Sequence, residues 1–165
     1  MNRVHIVGRK NSGKTTLVVE LVAELSSRGL RVGTIKHTHH RHELDAPGKD
    51  SFRHREAGAA AVGILSPAMS AVFIPATGTE RDENRYREVA GLFANCDLVV
   101  VEGDLMTEAP KIEVWRAALG TPPYAAEHST IRAVVSDDAA SIGIPVWPRG
   151  DVGFVADRVL EIARA

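Results

Sequence analysis

The sequence is poor in cysteine and has no long hydrophobic run. Its single thiol, Cys96, cannot form an internal disulfide, which favours the reducing cytoplasm. The neighbours of Cys96 supply no basic group, so we expect a small, partly buried residue rather than a nucleophile. No apolar stretch approaches the ~18 residues of a membrane span, and the charged, strand-like N-terminus does not resemble a signal peptide. We therefore expect a cytoplasmic protein with no membrane contact.

Aromatic residues are also scarce, at 5% of the chain, and they do not alternate with the basic residues. Residues 1–55 hold eleven lysines and arginines against five acidic residues, whereas residues 56–165 hold nine against sixteen. A basic first third suits a polyphosphate, but without interleaved aromatic residues it does not indicate nucleic acid. The chain has no repeat, linker or low-complexity tract, so we predict a single domain over residues 1–165.

Residues 8–15, with the sequence GRKNSGKT, fit the spacing G-x-x-x-x-G-K-[ST] of a phosphate-binding P-loop. A short β-branched segment at 3–7 precedes this loop, and an amphipathic helical pattern at 14–28 follows it. The alternative is an ordinary strand-to-helix turn that contains a lysine by chance. With both flanks in place, we predict an α/β protein with the three-layer P-loop NTPase fold, in which helices flank a mostly parallel β-sheet.

The residue types of this loop suit the phosphates of a nucleotide. Glycine permits a tight turn, backbone amides then point at an anion, and the helix N-terminus adds its positive dipole. Lys14 supplies a cation for the β- and γ-phosphates, and the Thr15 hydroxyl suits Mg²⁺. Thr16 either contacts the α-phosphate or only caps the first helical turn. The predicted nucleotide-binding residues of the loop are Gly8, Asn11, Ser12, Gly13, Lys14, Thr15 and Thr16.

A second informative stretch is DLVVVEG at residues 97–103. Four consecutive branched apolar residues predict a strand that is buried on both faces of a parallel sheet. The carboxyl ends of such strands face the ligand, so we predict that Glu102 holds Mg²⁺ directly or through water. Asp97 lies at the opposite end and is expected only to begin the strand.

The segment 36–51 follows a predicted strand at 30–36 and contains four histidines between residues 37 and 42. Three interpretations stay open for them: a zinc site, contacts with phosphate or water in a nucleotide cleft, or a solvated loop. Side chains alternate along an extended segment, so the four histidines cannot easily converge, and no cysteine accompanies them. Asp50 or Ser51 is then expected to cap a short helix running to about residue 57.

The rest of the chain predicts further strands and helices. They are strands at 61–65 and 71–74, a helix at 79–93, a half-exposed edge strand at 111–116, strands at 131–135 and 144–147, and a final helix capped by Asp151. Asp137 follows the strand at 131–135 and is either an acceptor for N1 and N2 of guanine or a turn residue. Without an Asn-Lys-x-Asp motif, the preferred base cannot be identified from a motif alone.

Several of these segments together match one family. They are NSGKTT at 11–16, IKH at 35–37 with His40, D-x-x-GKDS at 45–51 with Arg53 and AGA at 57–59, VEG at 101–103, and PKIE at 110–113. Over essentially its whole length the chain resembles the molybdopterin-guanine dinucleotide biosynthesis protein B family. One departure is that Asp104 and Leu105 follow Gly103, where family members often have an aromatic residue and a lysine.

The resemblance implies a GTP-binding protein, usually a homodimer, that accompanies the guanylyltransferase joining GMP to molybdopterin. It implies weak GTP hydrolysis, with GTP and Mg²⁺ as cofactors and molybdopterin as a further candidate ligand. By position it assigns Gly13, Lys14 and Thr15 to phosphates and Mg²⁺, and Glu102 to the metal. An adjoining second anion or substrate site would be lined by Lys36, His37, Lys49, Asp50 and Arg53.

We therefore expect an Mg·GTP-binding protein that supports formation of molybdopterin guanine dinucleotide and hydrolyses GTP slowly. Charge stabilisation by Lys14 and the loop amides would be the main catalytic effect. Asp50 or Asp45 could orient the attacking water, and our hypothesis is Asp50. One alternative is an adaptor that binds GTP without hydrolysis. Another is a small-molecule kinase, for which the chain offers only Arg81, Arg85 and Arg87 as lid arginines.

Overall fold

Six parallel strands, in the order β2-β5-β1-β6-β7-β8, form the main sheet. The computed structural model describes residues 1–38, 40, 43–76, 82–138 and 141–164. The strands are β1 (Arg3–Val7), β2 (Val32–Lys36), β3 (Val62–Leu65), β4 (Ser70–Phe73), β5 (Leu98–Glu102), β6 (Lys111–Val114), β7 (Ile131–Val135) and β8 (Val146–Trp147). The helices are α1 (Lys14–Ser27), α2 (Asp50–Glu56), α3 (Asp82–Val89) and α4 (Val152–Arg164), with short 3₁₀ turns at Ala90–Phe93, Ala117–Leu119 and Tyr124–Ala126.

Chain contacts divide the molecule into two compact units. The larger unit contains residues 1–38 and 82–165, and the smaller unit contains residues 39–81. All six strands of the main sheet belong to the larger unit. Because these strands are parallel, their carboxyl ends meet at one edge, where α/β proteins bind ligands. Pairing of Glu102 with both Ile6 and Lys36 brings the ends of β5, β1 and β2 together at that edge.

Helices cover both faces of the main sheet. Leu98 and Val100 of β5 pack with the apolar faces of α1 and α4, whereas Val99 and Val101 pack with Tyr86 of α3. Adjacent residues on a strand point to opposite faces, so the continuous apolar run of β5 suits a strand that is covered on both sides. The predicted three-layer α/β fold and the predicted burial of this strand are confirmed.

The prediction of a half-exposed edge strand at 111–116 is wrong. Strand β6 lies between β1 and β7, and all four of its residues are buried. Lys111 and Glu113 produce the alternation that resembled a solvent-facing strand, but both side chains are buried and hydrogen-bonded to backbone groups. Burial of a charged group is tolerated when its hydrogen bonds are made.

The smaller unit contains the hairpin of β3 and β4, which are antiparallel as two predicted strands joined by a Ser-Pro turn require. Helix α2 is also present, but the predicted cap is wrong because the helix begins after Lys49 and has no side-chain cap. The Ser51 hydroxyl instead donates to Asp45 Oδ1 at 2.8 Å. None of the residues of α2 is buried.

The helix predicted at 79–93 begins at Asp82 within the described residues and ends in a 3₁₀ turn, Ala90–Phe93. Its predicted first residues, including Arg81, lie outside the described part of the chain. Helix α4 is capped by Asp151 as predicted, because Asp151 Oδ1 accepts the Phe154 amide at 2.9 Å. Among the described residues, no helix has the length and apolarity needed to span a membrane.

Candidate nucleotide and metal site

The glycine-rich loop between β1 and α1 has the backbone conformation that its sequence predicts. Gly8 has φ +142°, and a Cβ at this position would overlap the Val114 carbonyl oxygen. Gly13, immediately before α1, has φ +100°, and Asn11 has φ +64°. Residues with side chains rarely adopt such positive φ values, with Asn among the exceptions. The two glycines are therefore required by the path of the loop.

The polar side chains of the loop are placed around its concavity. Lys14 Nζ donates to the Arg9 carbonyl oxygen at 2.7 Å, and burial lowers the pKa of this lysine. Within the described part of the chain, the buried Ser12 hydroxyl has no hydrogen-bond partner. An orphaned buried hydroxyl and a desolvated ammonium are both stabilised by an anionic oxygen ligand.

The ends of α1, β5 and β2 bring three predicted site residues together. The Thr15 hydroxyl donates to Glu102 Oε1 at 2.8 Å, and Lys36 Nζ lies 3.8 Å from the same oxygen. The Glu102 side chain is only 14% exposed. A cavity of about 300 Å³ adjoins this cluster, lined by Thr15, Val18, Val19, Val22, Thr34, Ile35, Lys36 and Glu102. The larger unit thus places Thr15, Lys36 and Glu102 in one cluster at the carboxyl edge of the sheet.

The hydroxyl of Thr15 and the carboxylate of Glu102 fit Mg²⁺. Mg²⁺ is usually bound by one or two protein oxygen ligands, with phosphate oxygens and waters completing its octahedron. Among the described residues, no group of three or more His, Cys, Asp or Glu side chains could hold a metal ion. Two of the four histidines considered for zinc, His39 and His42, lie outside the described residues, so that interpretation stays untested.

Behind Glu102 is a buried polar network that the sequence analysis did not assign. His5 Nδ1 lies 3.2 Å from the Gly103 carbonyl oxygen, and Arg3 Nε donates to His5 Nε2 at 3.2 Å. A carbonyl can only accept and a guanidinium can only donate, so His5 is neutral with its proton on Nδ1. Burial lowers the pKa of His5 to about 4, which agrees with this tautomer.

Asp104 belongs to the same network. It accepts the Tyr86 hydroxyl and the Met106 amide, each at 2.9 Å. Burial alone would raise the pKa of Asp104, but these hydrogen bonds outweigh it and the pKa lies below its ordinary value. In the sequence, Asp104 was noted only as a departure from the family pattern and was assigned no role.

A second buried carboxylate, Glu113, lies at the end of β6 on the other side of β1. It accepts the backbone amides of Tyr124 and Ala125 at 2.8 and 2.9 Å. Burial raises the pKa of Glu113 despite these two hydrogen bonds. The Tyr124 ring centroid in turn lies 4.4 Å from the Arg9 guanidinium carbon. Glu113 thus fixes the segment that packs against the glycine-rich loop.

The remaining predicted residues have more ordinary surroundings. Thr16 is exposed on α1. Asp137 is also exposed, and its Oδ1 accepts the amides of Arg149 and Gly150 at 2.8 and 3.2 Å, as a turn residue would. Asp45 is buried and accepts the Ala46 amide and the Ser51 hydroxyl, which gives it a structural role within the smaller unit.

The predicted second anion site draws on residues from both units. In the larger unit, the His37 amide donates to the Glu102 carbonyl at 2.9 Å, which fixes the chain directly after Lys36. In the smaller unit, Lys49, Asp50 and Arg53 are exposed, and Arg53 Nη1 lies 4.0 Å from Asp50 Oδ1. The combination of these residues in one site stays a prediction.

Taken together, the parallel sheet, the glycine-rich loop and the helices on both faces define the class: an α/β protein with the P-loop NTPase fold. Residues 3–137 match the family model described as MobB, molybdopterin guanine dinucleotide synthesis protein B. The chain belongs to this family, as its sequence motifs indicate. Membership supports a role in the biosynthesis of the molybdenum cofactor.

Relatives and solved structures agree with this assignment. The chain is 34% identical over 151 residues to a molybdopterin-guanine dinucleotide biosynthesis adapter protein of Escherichia coli, covering 91% of this chain and 86% of the relative. It is 38% identical over 119 residues to the protein of the same name in Haemophilus influenzae, covering 71% of this chain and 65% of the relative.

Among solved structures, a MobB protein homolog from Bacillus stearothermophilus aligns over 99% of both chains, with a TM-score of 0.70 and 26% identity. A structure described as molybdopterin-guanine biosynthesis protein B aligns over 99% of both chains, with a TM-score of 0.73 and 28% identity. These alignments cover both units of the chain.

Proposed function

We propose that this protein binds Mg·GTP and supports the formation of molybdopterin guanine dinucleotide, with slow hydrolysis of the bound GTP. The observation that most supports this proposal is the 2.8 Å hydrogen bond between the Thr15 hydroxyl and Glu102, beside a glycine loop with a half-buried lysine. A hydroxyl and a carboxylate at this edge are the two protein ligands that a nucleotide-bound Mg²⁺ requires.

The chain's own residues would act mainly by charge stabilisation. Lys14 would exchange the neutral Arg9 carbonyl for the β- and γ-phosphates, since an anion offsets the cost of its burial. The loop amides and the Ser12 hydroxyl would donate to phosphate oxygens. Bound Mg²⁺ would neutralise phosphate charge, and Thr15 and Glu102 would hold it. Asp50 is our candidate for orienting the attacking water.

Guanine recognition belongs to the same proposal. Asp137 follows β7 at the carboxyl edge of the sheet, the edge at which α/β proteins bind ligands. Its Oδ1 already accepts two backbone amides, so the N–H groups of a guanine would donate to Oδ2. Those amide bonds would fix the orientation of the carboxylate.

A second candidate function is an adaptor that binds GTP without turning it over. It is favoured by the word adapter in the names of the Escherichia coli and Haemophilus influenzae relatives. Under either function we propose the guanylyltransferase of the pathway as partner, molybdopterin as a further ligand, a homodimer as the assembly, and the cytoplasm as the compartment.

Phosphate release from GTP, with and without the guanylyltransferase, separates the two candidates. Slow release that requires Mg²⁺ supports the hydrolytic function, whereas tight GTP binding without release supports the adaptor. An Asp50→Asn variant tests the water-orienting residue, and Glu56→Gln on the same exposed helix is its control. If Asp50→Asn releases phosphate at the wild-type rate, the assignment of Asp50 is wrong.

A further inference from the structure

The turn that follows β5, residues 102–104, is bonded to both neighbouring strands. The Gly103 amide donates to the Ile6 carbonyl of β1 at 2.9 Å, and the His37 amide donates to the Glu102 carbonyl at 2.9 Å. His5, on β1, donates its Nδ1 proton to the Gly103 carbonyl oxygen. The backbone on either side of the Glu102 side chain is therefore fixed without any ligand.

The turn contains two consecutive residues with positive φ, Gly103 at +96° and Asp104 at +66°. At Gly103 a Cβ would lie 3.1 Å from the His37 carbonyl oxygen, so space also favours glycine there. Asp104 has a conformational cost that a glycine would avoid. Its two side-chain bonds, from the Tyr86 hydroxyl and the Met106 amide, offset that cost.

The partners of Asp104 are themselves immobilised. The Arg3 guanidinium lies 4.5 Å from the Tyr86 ring centroid, and its Nη2 donates to both carboxylate oxygens of Glu83, at 2.7 and 2.8 Å. On the far side of the turn, the fully buried Lys111 donates to the carbonyls of Thr107 and Ala109. Buried Lys111 thus braces the connection from β5 to β6 from the protein interior, whereas the Arg3–Glu83 pair is partly exposed.

We propose that Asp104, with Tyr86 and His5, forms a positioning network that holds the Glu102 turn in its metal-binding form before the nucleotide arrives. The turn is then a fixed part of the site rather than a switch that reorganises with GTP. This inference rests on the proposed Mg·GTP function.

The variant Asp104→Gly removes the carboxylate while permitting the left-handed backbone, so it isolates the side-chain bonds. Asp97→Gly is a matched control, because Asp97 flanks the other end of β5 and also accepts a backbone amide, from Arg31 at 2.7 Å. Tyr86→Phe is the milder test, since it removes only the hydroxyl. Calorimetry gives the Kd for GTP of each variant in Mg²⁺ and in EDTA.

Supporting groups behind a metal ligand typically change metal affinity by about 10- to 100-fold, so we expect Asp104→Gly to reduce the Mg²⁺ enhancement of GTP affinity about tenfold. Its GTP affinity in EDTA should stay close to that of the wild type, because the glycine loop is untouched. Tyr86→Phe should change the enhancement in the same direction by less, and Asp97→Gly should leave it unchanged. A merely structural role of Asp104 would weaken GTP binding in both conditions.

Amide hydrogen exchange of the nucleotide-free protein is the independent readout. We expect slow exchange at Gly103 in the wild type and in Asp97→Gly, and faster exchange in Asp104→Gly. An unchanged Mg²⁺ enhancement in Asp104→Gly would overturn the proposal, as would Gly103 protection in the wild type that develops only with Mg·GTP. If Glu102→Gln keeps the full enhancement, the metal assignment itself is wrong and the positioning proposal is wrong with it.

Discussion

Glu102 in the larger unit and the charged residues of α2 in the smaller unit differ sharply in exposure. In the larger unit, Glu102 is 14% exposed, and its turn is bonded on several sides at the end of a buried strand. In the smaller unit, Asp50 and Arg53 have side chains that are 90% and 75% exposed, on a short helix with no buried residue. The core already holds Glu102 in place, whereas Asp50 and Arg53 would lose side-chain freedom on binding a ligand.

This difference is the basis for the proposal that the two units have different binding roles. Prearranged groups bind a small ligand with little entropic cost, which suits phosphates and Mg²⁺. An exposed lysine or arginine side chain contributes little binding free energy until a partner or substrate excludes water from it. We therefore expect nucleotide affinity to depend on the larger unit, and contacts with a second ligand or partner to depend on Lys49 and Arg53.

The largest expected effect is the loss of nucleotide binding when Lys14 of the larger unit is replaced, with Lys49 of the smaller unit as the comparison. Lys14→Ala should weaken Mg·GTP binding about 1,000-fold, because two phosphate contacts of a half-buried cation would each be worth about 2 kcal/mol. Lys49→Ala, in the smaller unit, should change GTP affinity little. Calorimetry on both variants measures this contrast. Equal losses of GTP affinity would contradict the proposal that nucleotide binding depends on the larger unit.

The next effect is the pH dependence of stability through His5. The unfolded imidazole binds a proton below about pH 6.5, whereas the folded one does so only near pH 4, so acid favours the unfolded state between these values. We expect a loss on the order of 3 kcal/mol as pH falls through this window. Urea unfolding at several pH values measures it.

His54, on the exposed helix α2, is the comparison for that titration. The acid loss should largely disappear in His5→Gln and persist in His54→Gln. Should His5→Gln keep the full wild-type slope, the buried neutral His5 is not its source.

A smaller effect is expected at buried Glu113. Glu113→Ala leaves the Tyr124 and Ala125 amides without their acceptor, which should cost about 2 kcal/mol of unfolding free energy. Glu56→Ala on exposed α2 should stay within about 0.5 kcal/mol of the wild type. Denaturant unfolding of both variants sharpens the comparison, and a Glu113→Ala variant as stable as Glu56→Ala would contradict it.

The smallest effect is expected at Tyr124. Its ring lies beneath the Arg9 guanidinium, and a partly exposed cation–π contact contributes about 1 kcal/mol. Tyr124→Ala should therefore weaken GTP binding about fivefold. Tyr124→Phe keeps the ring and should bind GTP like the wild type. Equal behaviour of the two variants in a nucleotide titration would exclude a role for the ring.

Local patterns were sufficient to predict where the glycine-rich loop and Glu102 lie in the fold. The spacing of Gly8, Gly13 and Lys14 lies within one short segment, and the apolar run before Glu102 predicts the strand that positions it. Parallel pairing then brings both to the same edge of the sheet. The fold class followed from the same alternation of strands and helices.

The burial of several polar side chains could not be predicted from such local patterns. Lys111 and Glu113 alternate with apolar residues as in an exposed strand, but β6 lies between β1 and β7, and both side chains are hydrogen-bonded to backbone groups there. His5 likewise gave no local signal, because its partners include Gly103, far along the chain. Such contacts depend on the folded arrangement of strands rather than on neighbouring residues.

The most direct test of the central claim is calorimetry of the wild-type protein with GTP and with ATP, each in the presence and absence of Mg²⁺. Our account predicts that GTP binds more tightly than ATP and that Mg²⁺ strengthens GTP binding. A preference for ATP, or no binding of either nucleotide, would contradict it.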